Sequence, residues 1–335
     1  MVTRIDAVHL TCICVAVFTL LIGCGKQPAT KLDNDRKVII GYLPISAHLP
    51  GAVAEEIQAF EDLRVDVEFR VYSTSNALLS AVSSGEVDAA TTVAVSPVAG
   101  RIYAELEQGL DPSIQIVSFS RTTQKQPFDS VFVAPDSAIH DLEQLAGKRV
   151  AVFPGTTAQS ILSYYLKEKH GIHEDAVHYH MLPPTVQVAR LRDGDVDALF
   201  TYETVRTAAE FGGMRQIHGS VIASVLEGAP YGCSVVNSSF ARQKEQVAQA
   251  FVEALDRGIL AIRQDEALAR QVLQNRLGES SEIASLCNLE FRHTSEEIRG
   301  EQQLRVLREF LAILVDAGDL KGMVTVESML WKMSN

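Results

Sequence analysis

Hydroxyl side chains stand at the start of two predicted helices, each directly after a predicted strand. Thr74 and Ser75 follow the strand 64–71, and Thr156 and Thr157 follow the strand 149–153. A hydroxyl beside the free N–H groups of a helix start, where the helix dipole is positive, suits an oxyanion such as a sulfonate or carboxylate. Hydroxyls at these positions also cap helices without binding anything. The pattern therefore predicts either an anion site or ordinary helix caps.

The remaining candidate binding residues follow from a rule for open α/β sheets. Ligands of such sheets bind beyond the carboxyl ends of the strands, where loops and helix starts converge. His48 is then either a donor to the ligand or a solvated loop residue, and Glu203 either binds an amino group or pairs with Arg206. The residues selected as ligand-binding are Ser46, His48, Thr74, Ser75, Thr92, Ser120, Thr156, Thr157, Tyr202 and Glu203.

Aromatic residues also lie near the ends of predicted strands: Tyr42, Tyr72, Phe153, Tyr202 and Tyr231. If several of these rings face one cleft, a flat heteroaromatic ligand is favoured over a small anion, because aromatic rings stack on one another. The sequence leaves both ligand classes open.

Catalytic and metal-binding patterns are weak in this chain. His170, His173, His178 and His180 are close in sequence, but the first two fall on a helix end and turn and the last two on a strand. A solvated edge is favoured over a tetrahedral metal site. No HExxH or CxxC spacing occurs, and no nucleophile with a paired base is visible. We expect no metal, no cofactor and no enzymatic activity.

The amino terminus carries the signals of export. Arg4 precedes a mostly apolar run at 7–21, which is too short to span a bilayer comfortably. Leu21-Ile22-Gly23-Cys24 then resembles the lipobox of bacterial lipoproteins. The resemblance implies a signal peptide at 1–23, acylation of Cys24 and a polar tether at 24–37. It places the protein on the extracytoplasmic face of the cell membrane or outer membrane.

Two cysteines remain beyond the lipobox, Cys233 and Cys287. They lie in unrelated segments, so we expect two separate, partly buried thiols rather than a disulfide.

The composition is that of a large globular protein. The chain has 335 residues, 47% of them apolar, 21% charged, and a formal net charge of -12. A nucleic-acid binder needs a basic surface to neutralise phosphates, so this class is excluded. A chain of this length can bury a sizeable core in one large domain or two lobes.

Strands and helices alternate along the chain as in α/β lobes, and one helix is predicted to begin near Ala52. Besides 64–71 and 149–153, the predicted strands are 38–42, 87–93, 114–120, 130–134, 177–181, 198–202 and 232–236. Gly85-Glu86-Val87-Asp88-Ala89 recurs as Gly194-Asp195-Val196-Asp197-Ala198, each time after a short helix and at the start of a strand. Two lobes built on one plan would produce this echo. After 236 the chain is mainly helical, with apolar residues at helical spacing at Val247, Phe251, Leu255 and Ile259 and again along 304–314.

The succession of these motifs resembles the periplasmic solute-binding proteins of ABC importers, in the family that takes nitrate, taurine, alkanesulfonates and thiamine precursors. The motifs are Ile39-Ile40-Gly41-Tyr42, Ser84-Gly85-Glu86-Val87-Asp88-Ala89, Asp141-Leu142 with 145–152, and Gly194-Asp195-Val196-Asp197-Ala198. The resemblance implies a two-lobed periplasmic-binding-protein fold of type II. Residues 38–131 and 234–335 then form lobe I, residues 132–233 form lobe II, and crossover strands join the lobes.

The resemblance also implies a function: a monomer that captures a small organic anion, sulfonate- or taurine-like, in the cleft and passes it to an ABC permease and ATPase. Three alternatives stay open. They are a binder of a heteroaromatic, thiamine-precursor-like ligand, a cofactor-pathway enzyme on the same fold, and a sensor lipoprotein.

Overall fold

The computed structural model describes residues 36–332, and of Thr156 it describes the backbone alone. The predicted signal peptide, Cys24 and nearly all of the predicted tether lie outside the described residues. Within 36–332, no helix combines the length and the apolar character that a bilayer crossing requires.

Short apolar runs form the strands, as the sequence predicts, and within 36–332 there are eleven. They are β1 Lys37–Tyr42, β2 Asp66–Val71, β3 Ala89–Ala94, β4 Ile114–Arg121, β5 Asp129–Val133, β6 Arg149–Val152, β7 His178–Met181, β8 Ala198–Tyr202, β9 Arg215–His218, β10 Gly232–Asn237 and β11 Phe291–His293. The predicted strands match these to within about two residues, except that β9 and β11 were not predicted.

Amphipathic segments between the strands form the helices. They are α1 Leu49–Glu56, α2 Ala59–Asp62, α3 Ser75–Ser84, α4 Val95–Glu107, α5 Thr156–His170, α6 Pro184–Arg192, α7 Val205–Phe211, α8 Val221–Val225, α9 Ser238–Gln243, α10 Glu245–Gln264, α11 Glu266–Asn275, α12 Ser281–Leu286, α13 Glu301–Asp316 and α14 Val326–Met329. Helix α1 was predicted to begin near Ala52, but it begins at Leu49 with Pro50 in its first turn, where the missing N–H costs nothing.

The strands assemble into two sheets built on one plan. The first has the order β11-β4-β10-β3-β1-β2, and the second the order β7-β6-β8-β5-β9. In the first sheet β1 is parallel to β2 and β3, and β10 lies antiparallel between β3 and β4. In the second sheet β6 is parallel to β7 and β8, and β5 lies antiparallel between β8 and β9. This is the predicted α/β fold with two lobes joined by crossover strands.

The two copies of the repeated five-residue segment have the same backbone conformation and make the same hydrogen bond in the two sheets. Gly85 and Gly194 both adopt a positive φ, of 79° and 74°, which glycine tolerates without strain. Three residues later, Asp88 accepts a hydrogen bond from the backbone N–H of Ile39, and Asp197 accepts one from that of Arg149, both at 2.8 Å. Each aspartate therefore ties the start of its strand to the parallel neighbour.

The helical region after β10 packs against the first sheet. Val247, Phe251, Leu255 and Ile259 of α10 are buried, which confirms the predicted apolar face. Leu307, Phe310, Leu311 and Leu314 of α13 are likewise buried. Cys233 and Cys287 are both free, as predicted, but they are fully rather than partly buried.

Candidate functional site

A cavity of about 530 Å³ opens where the carboxyl ends of the two sheets face each other. The loop after β1 and the ends of β3 and β8 supply wall residues, and so do the starts of α3, α4, α5, α6 and α7. The volume lies within the range of roughly 300–1,000 Å³ typical of pockets for small organic ligands.

Five of the ten predicted binding residues line this cavity: Ser75, Thr92, Thr157, Tyr202 and Glu203. Thr157 lies in the first turn of α5, whose N-cap is Gly155 and whose N–H groups have no side-chain cap. The Thr157 side chain is buried. The backbone N–H groups at the start of α5 can therefore donate to an oxyanion, which is the arrangement that the sequence predicted. The structure describes only the backbone of Thr156.

Ser46, His48, Thr74 and Ser120 do not line the cavity, and each has a partner within the protein. The Ser46 hydroxyl donates to the Glu203 carbonyl at 3.0 Å, and the Thr74 hydroxyl caps α3 by accepting from the Ala77 N–H at 3.2 Å. The Ser120 hydroxyl accepts from the Gly232 N–H at 2.8 Å.

His48 is a core residue. It lies in a single 3-10 turn before α1 and is 4% exposed. Its ring stacks on Tyr42 with centroids 4.0 Å apart, and its Nδ1 lies 2.6 Å from the Thr91 hydroxyl. Burial, helped by the nearby Arg292 guanidinium, lowers the pKa of His48 to about 3. His48 is therefore neutral at physiological pH, and it is not a solvated loop residue.

The Glu203 carboxylate is already paired. One oxygen accepts from Arg206 at 3.0 Å and from the Asn288 N–H at 3.2 Å, and the other accepts from the Thr207 hydroxyl at 2.7 Å. Burial raises the pKa of Glu203, although these hydrogen bonds oppose the shift. Of the two predicted roles, the geometry favours pairing with Arg206.

Four aromatic rings form one wall of the cavity, which we call the aromatic wall: Phe128, Phe153, Tyr202 and Tyr231. The Tyr202 ring is central, with centroids 4.7 Å from Tyr231, 5.7 Å from Phe153 and 6.3 Å from Phe128. Burial raises the pKa of both tyrosines, so their hydroxyls stay neutral. Tyr42 and Tyr72, also considered from the sequence, do not line the cavity.

Two carboxylates that sequence reasoning missed also line the cavity, Glu279 and Glu290. Glu279 accepts a hydrogen bond from the Thr204 hydroxyl. Glu290 accepts from Arg292 at 2.9 Å through one oxygen, while its other oxygen, Oε2, has no hydrogen-bond partner. None of the described side chains that line the cavity is Lys, Arg or His, so every formal charge on the described wall is negative.

The histidines considered for a metal site are spread along one side of the second sheet. His178 and His180 lie exposed on β7, an edge strand, and His170 contacts Glu143 at 3.2 Å. Across the described residues, no group of three or more His, Cys, Asp or Glu side chains is arranged to hold a metal ion.

Solved structures with this fold include binding proteins and an enzyme. The periplasmic aliphatic sulphonate binding protein SsuA from Escherichia coli has a TM-score of 0.71 at 15% identity, covering 89% of this chain and 93% of its own. The periplasmic nitrate-binding protein NrtA from Synechocystis PCC 6803 has a TM-score of 0.65 at 15% identity, covering 88% and 84%. The desulfurization enzyme DSZB has a TM-score of 0.63 at 15% identity, covering 88% and 96%.

At such identities these similarities establish the fold alone. No curated protein matches the sequence. The family model described as NMT1/THI5 like matches residues 45–267, which is well over half of the chain. The chain therefore belongs to the NMT1/THI5-like family.

Proposed function

We propose that this protein is the solute-binding component of an ABC importer, and that it captures a flat, amino-bearing heteroaromatic solute in the cavity between its two sheets. The observation that carries the proposal is the aromatic wall, because four rings within one cavity suit a planar ligand that stacks. The family and the two-lobed fold support a binding role.

The charges of the cavity favour this ligand over the small sulfonate-like anion expected first from the sequence. Three carboxylates line the wall, Glu203, Glu279 and Glu290, and no described cationic side chain lines it with them. Glu203 and Glu290 are ion-paired with arginines behind the wall, so Glu279 is the carboxylate without an ion pair. A carboxylate wall repels an anion and accepts hydrogen bonds from amino groups, and aromatic faces stack on a planar ring. An aminated heteroaromatic ring satisfies both features.

A taurine-like zwitterion is the competing ligand. The uncapped start of α5 beside Thr157 suits its sulfonate, and the wall carboxylates suit its amino group. Such a ligand leaves the aromatic wall without a stacking partner, so we place it second.

The wall chemistry supports binding rather than catalysis. No described His or Cys side chain lines the cavity, and the nearest serine and threonine hydroxyls therefore have no imidazole base there. Turnover of a candidate solute by the purified protein, without a transporter, would contradict the proposal. Loss of cellular uptake of the bound solute on deletion of the gene would support import over a sensor role.

We further propose the topography implied by the sequence. Cys24 is acylated and holds the protein on the extracytoplasmic face of a membrane, and the lobes comprise 38–131 with 234–335 and 132–233. The monomer closes by a hinge around its ligand and docks on a permease and ATPase.

A ligand-stabilisation experiment separates the two ligand classes. The probes are 4-aminopyrimidine, benzenesulfonate and taurine, which combine a ring with an amine, a ring with an anion, and an anion without a ring. A ligand at 100 times its Kd adds about 2.7 kcal/mol to the free energy of unfolding. We expect 4-aminopyrimidine to stabilise most. Stabilisation by taurine alone, abolished by Thr157→Val, would instead select the zwitterion.

A further inference from the structure

A second cavity, of about 180 Å³, lies beside the segments that join the two sheets. The segment between β4 and β5 contributes Thr123 to its wall, and the segment between α8 and β10 contributes Glu227 and Gly228. The two segments hydrogen-bond to each other, from the Thr122 N–H to the Ala229 carbonyl at 3.3 Å and from the Gly228 N–H to the Thr122 carbonyl at 2.9 Å. None of the described residues that line this cavity also lines the cavity between the sheets, so the two are separate.

Arg121, the last residue of β4, brings a positive charge to the wall of this second cavity. Its guanidinium lies over the Phe291 ring, 4.3 Å from the centroid, and among the described residues it has no ion-pair partner and no hydrogen-bond acceptor. Arg263 lies at the same distance from that ring, but it is paired with Glu297 at 2.7 Å. The Arg121 guanidinium is therefore free to donate to an anion, and its fork of N–H groups matches the oxygens of an oxyanion.

His293 supplies a buried polar group on the same wall. Its side chain is 9% exposed, and its ring contacts those of Phe119 and Phe291 with centroid distances of 5.8 Å and 5.2 Å. Its Nδ1 lies 3.6 Å from the Glu297 carboxylate, whereas Nε2 has no hydrogen-bond partner among the described residues and is not sealed from the cavity. Buried polar atoms in native proteins are almost always paired with protein, water or ligand. An Nε2 that carries a proton can therefore donate to a ligand in this cavity.

The start of α13 adds backbone donors. Gln302 and Gln303, in its first turn, line the cavity, and the N-cap is Gly300, which has no side chain that could cap the helix. The first N–H groups of a helix lack intrahelical partners, and the helix dipole is positive there. The Thr123 hydroxyl accepts from the Gln126 N–H at 3.0 Å, so it keeps its own proton to donate. The wall thus combines helix and hydroxyl donors with the cation and the imidazole.

We infer that this second cavity binds a small oxyanion of the size of sulfate or phosphate, held by Arg121, the His293 Nε2 and the start of α13. Its volume lies below the range of roughly 300–1,000 Å³ typical of pockets for organic ligands, and it suits such an anion with a few waters. Glu227 is the one carboxylate on the described wall, and it accepts from the Gln124 N–H at 3.1 Å. Its charge opposes an anion and so limits the affinity. Because both segments that join the sheets contribute to the wall, the bound anion links them to α13.

Sulfate titrations followed by calorimetry, at an ionic strength held constant with chloride, test the inference. Arg121→Gln should weaken sulfate binding roughly 10-fold, because a charge-assisted hydrogen bond to the anion is lost. Lys125→Gln, which removes an exposed cation on the neighbouring loop, is the matched control and should change the affinity less than about twofold. Glu227→Gln should tighten sulfate binding roughly threefold, because it removes a like charge from the wall.

Absence of sulfate binding to the wild type would overturn the inference. Equal sulfate affinity in the wild type and folded Arg121→Gln would place the anion at another site, and an equal loss in Lys125→Gln would assign the effect to net charge; either result overturns it. If Arg121→Gln does not fold, Glu227→Gln decides, since unchanged or weaker sulfate binding contradicts an anion beside Glu227. These failures leave the proposed function standing, because 4-aminopyrimidine binding is measured separately and should be the same in every folded variant.

Discussion

The hydroxyl of Ser46 donates a hydrogen bond to the backbone carbonyl of Glu203, at 3.0 Å, and so joins the loops of the two sheets. Ser46 follows the first strand of the first sheet, and Glu203 follows β8 of the second. Asn288 adds bonds of the same kind, from its N–H to the Glu203 carboxylate at 3.2 Å and from its amide to the Pro127 carbonyl at 3.0 Å. The described conformation is thus held closed by polar contacts between the two walls.

Ser46→Ala should shift the protein toward an open cleft. One hydrogen bond of this kind contributes about 1 kcal/mol, which corresponds to roughly a fivefold change in the closing equilibrium. Small-angle X-ray scattering of the ligand-free protein should show a larger radius of gyration. Ser84→Ala is the control, because the Ser84 hydroxyl donates to the Ala81 carbonyl within one helix. An equal change in both variants, or none in either, would show that the Ser46 bond does not set closure.

Much of the fold was predictable because strand positions follow from apolar runs. β9 and β11 escaped prediction because each contains a single apolar residue, Ile217 and Phe291, and so presents no apolar run. The antiparallel pairing of β5 and β10 depends on contacts between distant segments, which a single sequence does not display. Asp88 and Asp197 show the opposite case, since an echo of five residues correctly indicated two lobes on one plan.

The residues of the site were predictable only where they lie at or directly after the ends of strands. The strand-end rule selected Thr92, Thr157 and Tyr202, which line the cavity. It could not find Glu279 or Glu290, because both come from the helical region after β10, which folds back over the cleft. The burial of His48 was not predictable for a related reason, since it depends on the packing of Tyr42 and Thr91 around the ring, which leaves no local signal.

Cys24→Ala should release the protein from the membrane without changing ligand binding. The substitution removes the only acylation site that the lipobox resemblance implies, and several acyl chains are what give durable anchoring. Fractionation of cells that express each form should move the variant from the membrane pellet to the soluble fraction. Affinity for the same ligand, measured on the released protein, should equal that of the wild type. Retention of the variant in the pellet would contradict lipid anchoring at Cys24.

His48 should make the protein less stable in mild acid. Because the folded-state pKa is lowered to about 3 from an ordinary value of 6.5, the stabilisation is complete above 6.5 and is lost as the pH falls toward 3. Between pH 7 and 4.5 the loss is about 3 kcal/mol, from two pKa units. Urea denaturation at both values should show this extra loss in the wild type relative to His48→Asn. His173→Asn, at an exposed histidine, should keep the wild-type pH dependence of stability. If His173→Asn weakened that pH dependence as much as His48→Asn does, His48 would not be the source of the acid sensitivity.

Gly258→Ala should destabilise the fold, although alanine favours a helix over glycine. Gly258 lies inside α10 where it crosses α1, and an added Cβ would overlap the Pro50 carbonyl oxygen and lie 2.9 Å from the Ala54 Cβ. Overpacking of this kind costs about 1–3 kcal/mol, which exceeds the gain in helix propensity of about 1 kcal/mol.

Gly100→Ala in α4 is the matched control. An added Cβ at Gly100 meets only Leu320 Cδ2 at 3.6 Å, an ordinary contact, so the helix-propensity gain of up to about 1 kcal/mol should appear as increased stability. The two substitutions should therefore change the free energy of unfolding in opposite directions. A Gly258→Ala protein as stable as Gly100→Ala would show that α1 and α10 can separate without cost, and that close contact between them does not require glycine.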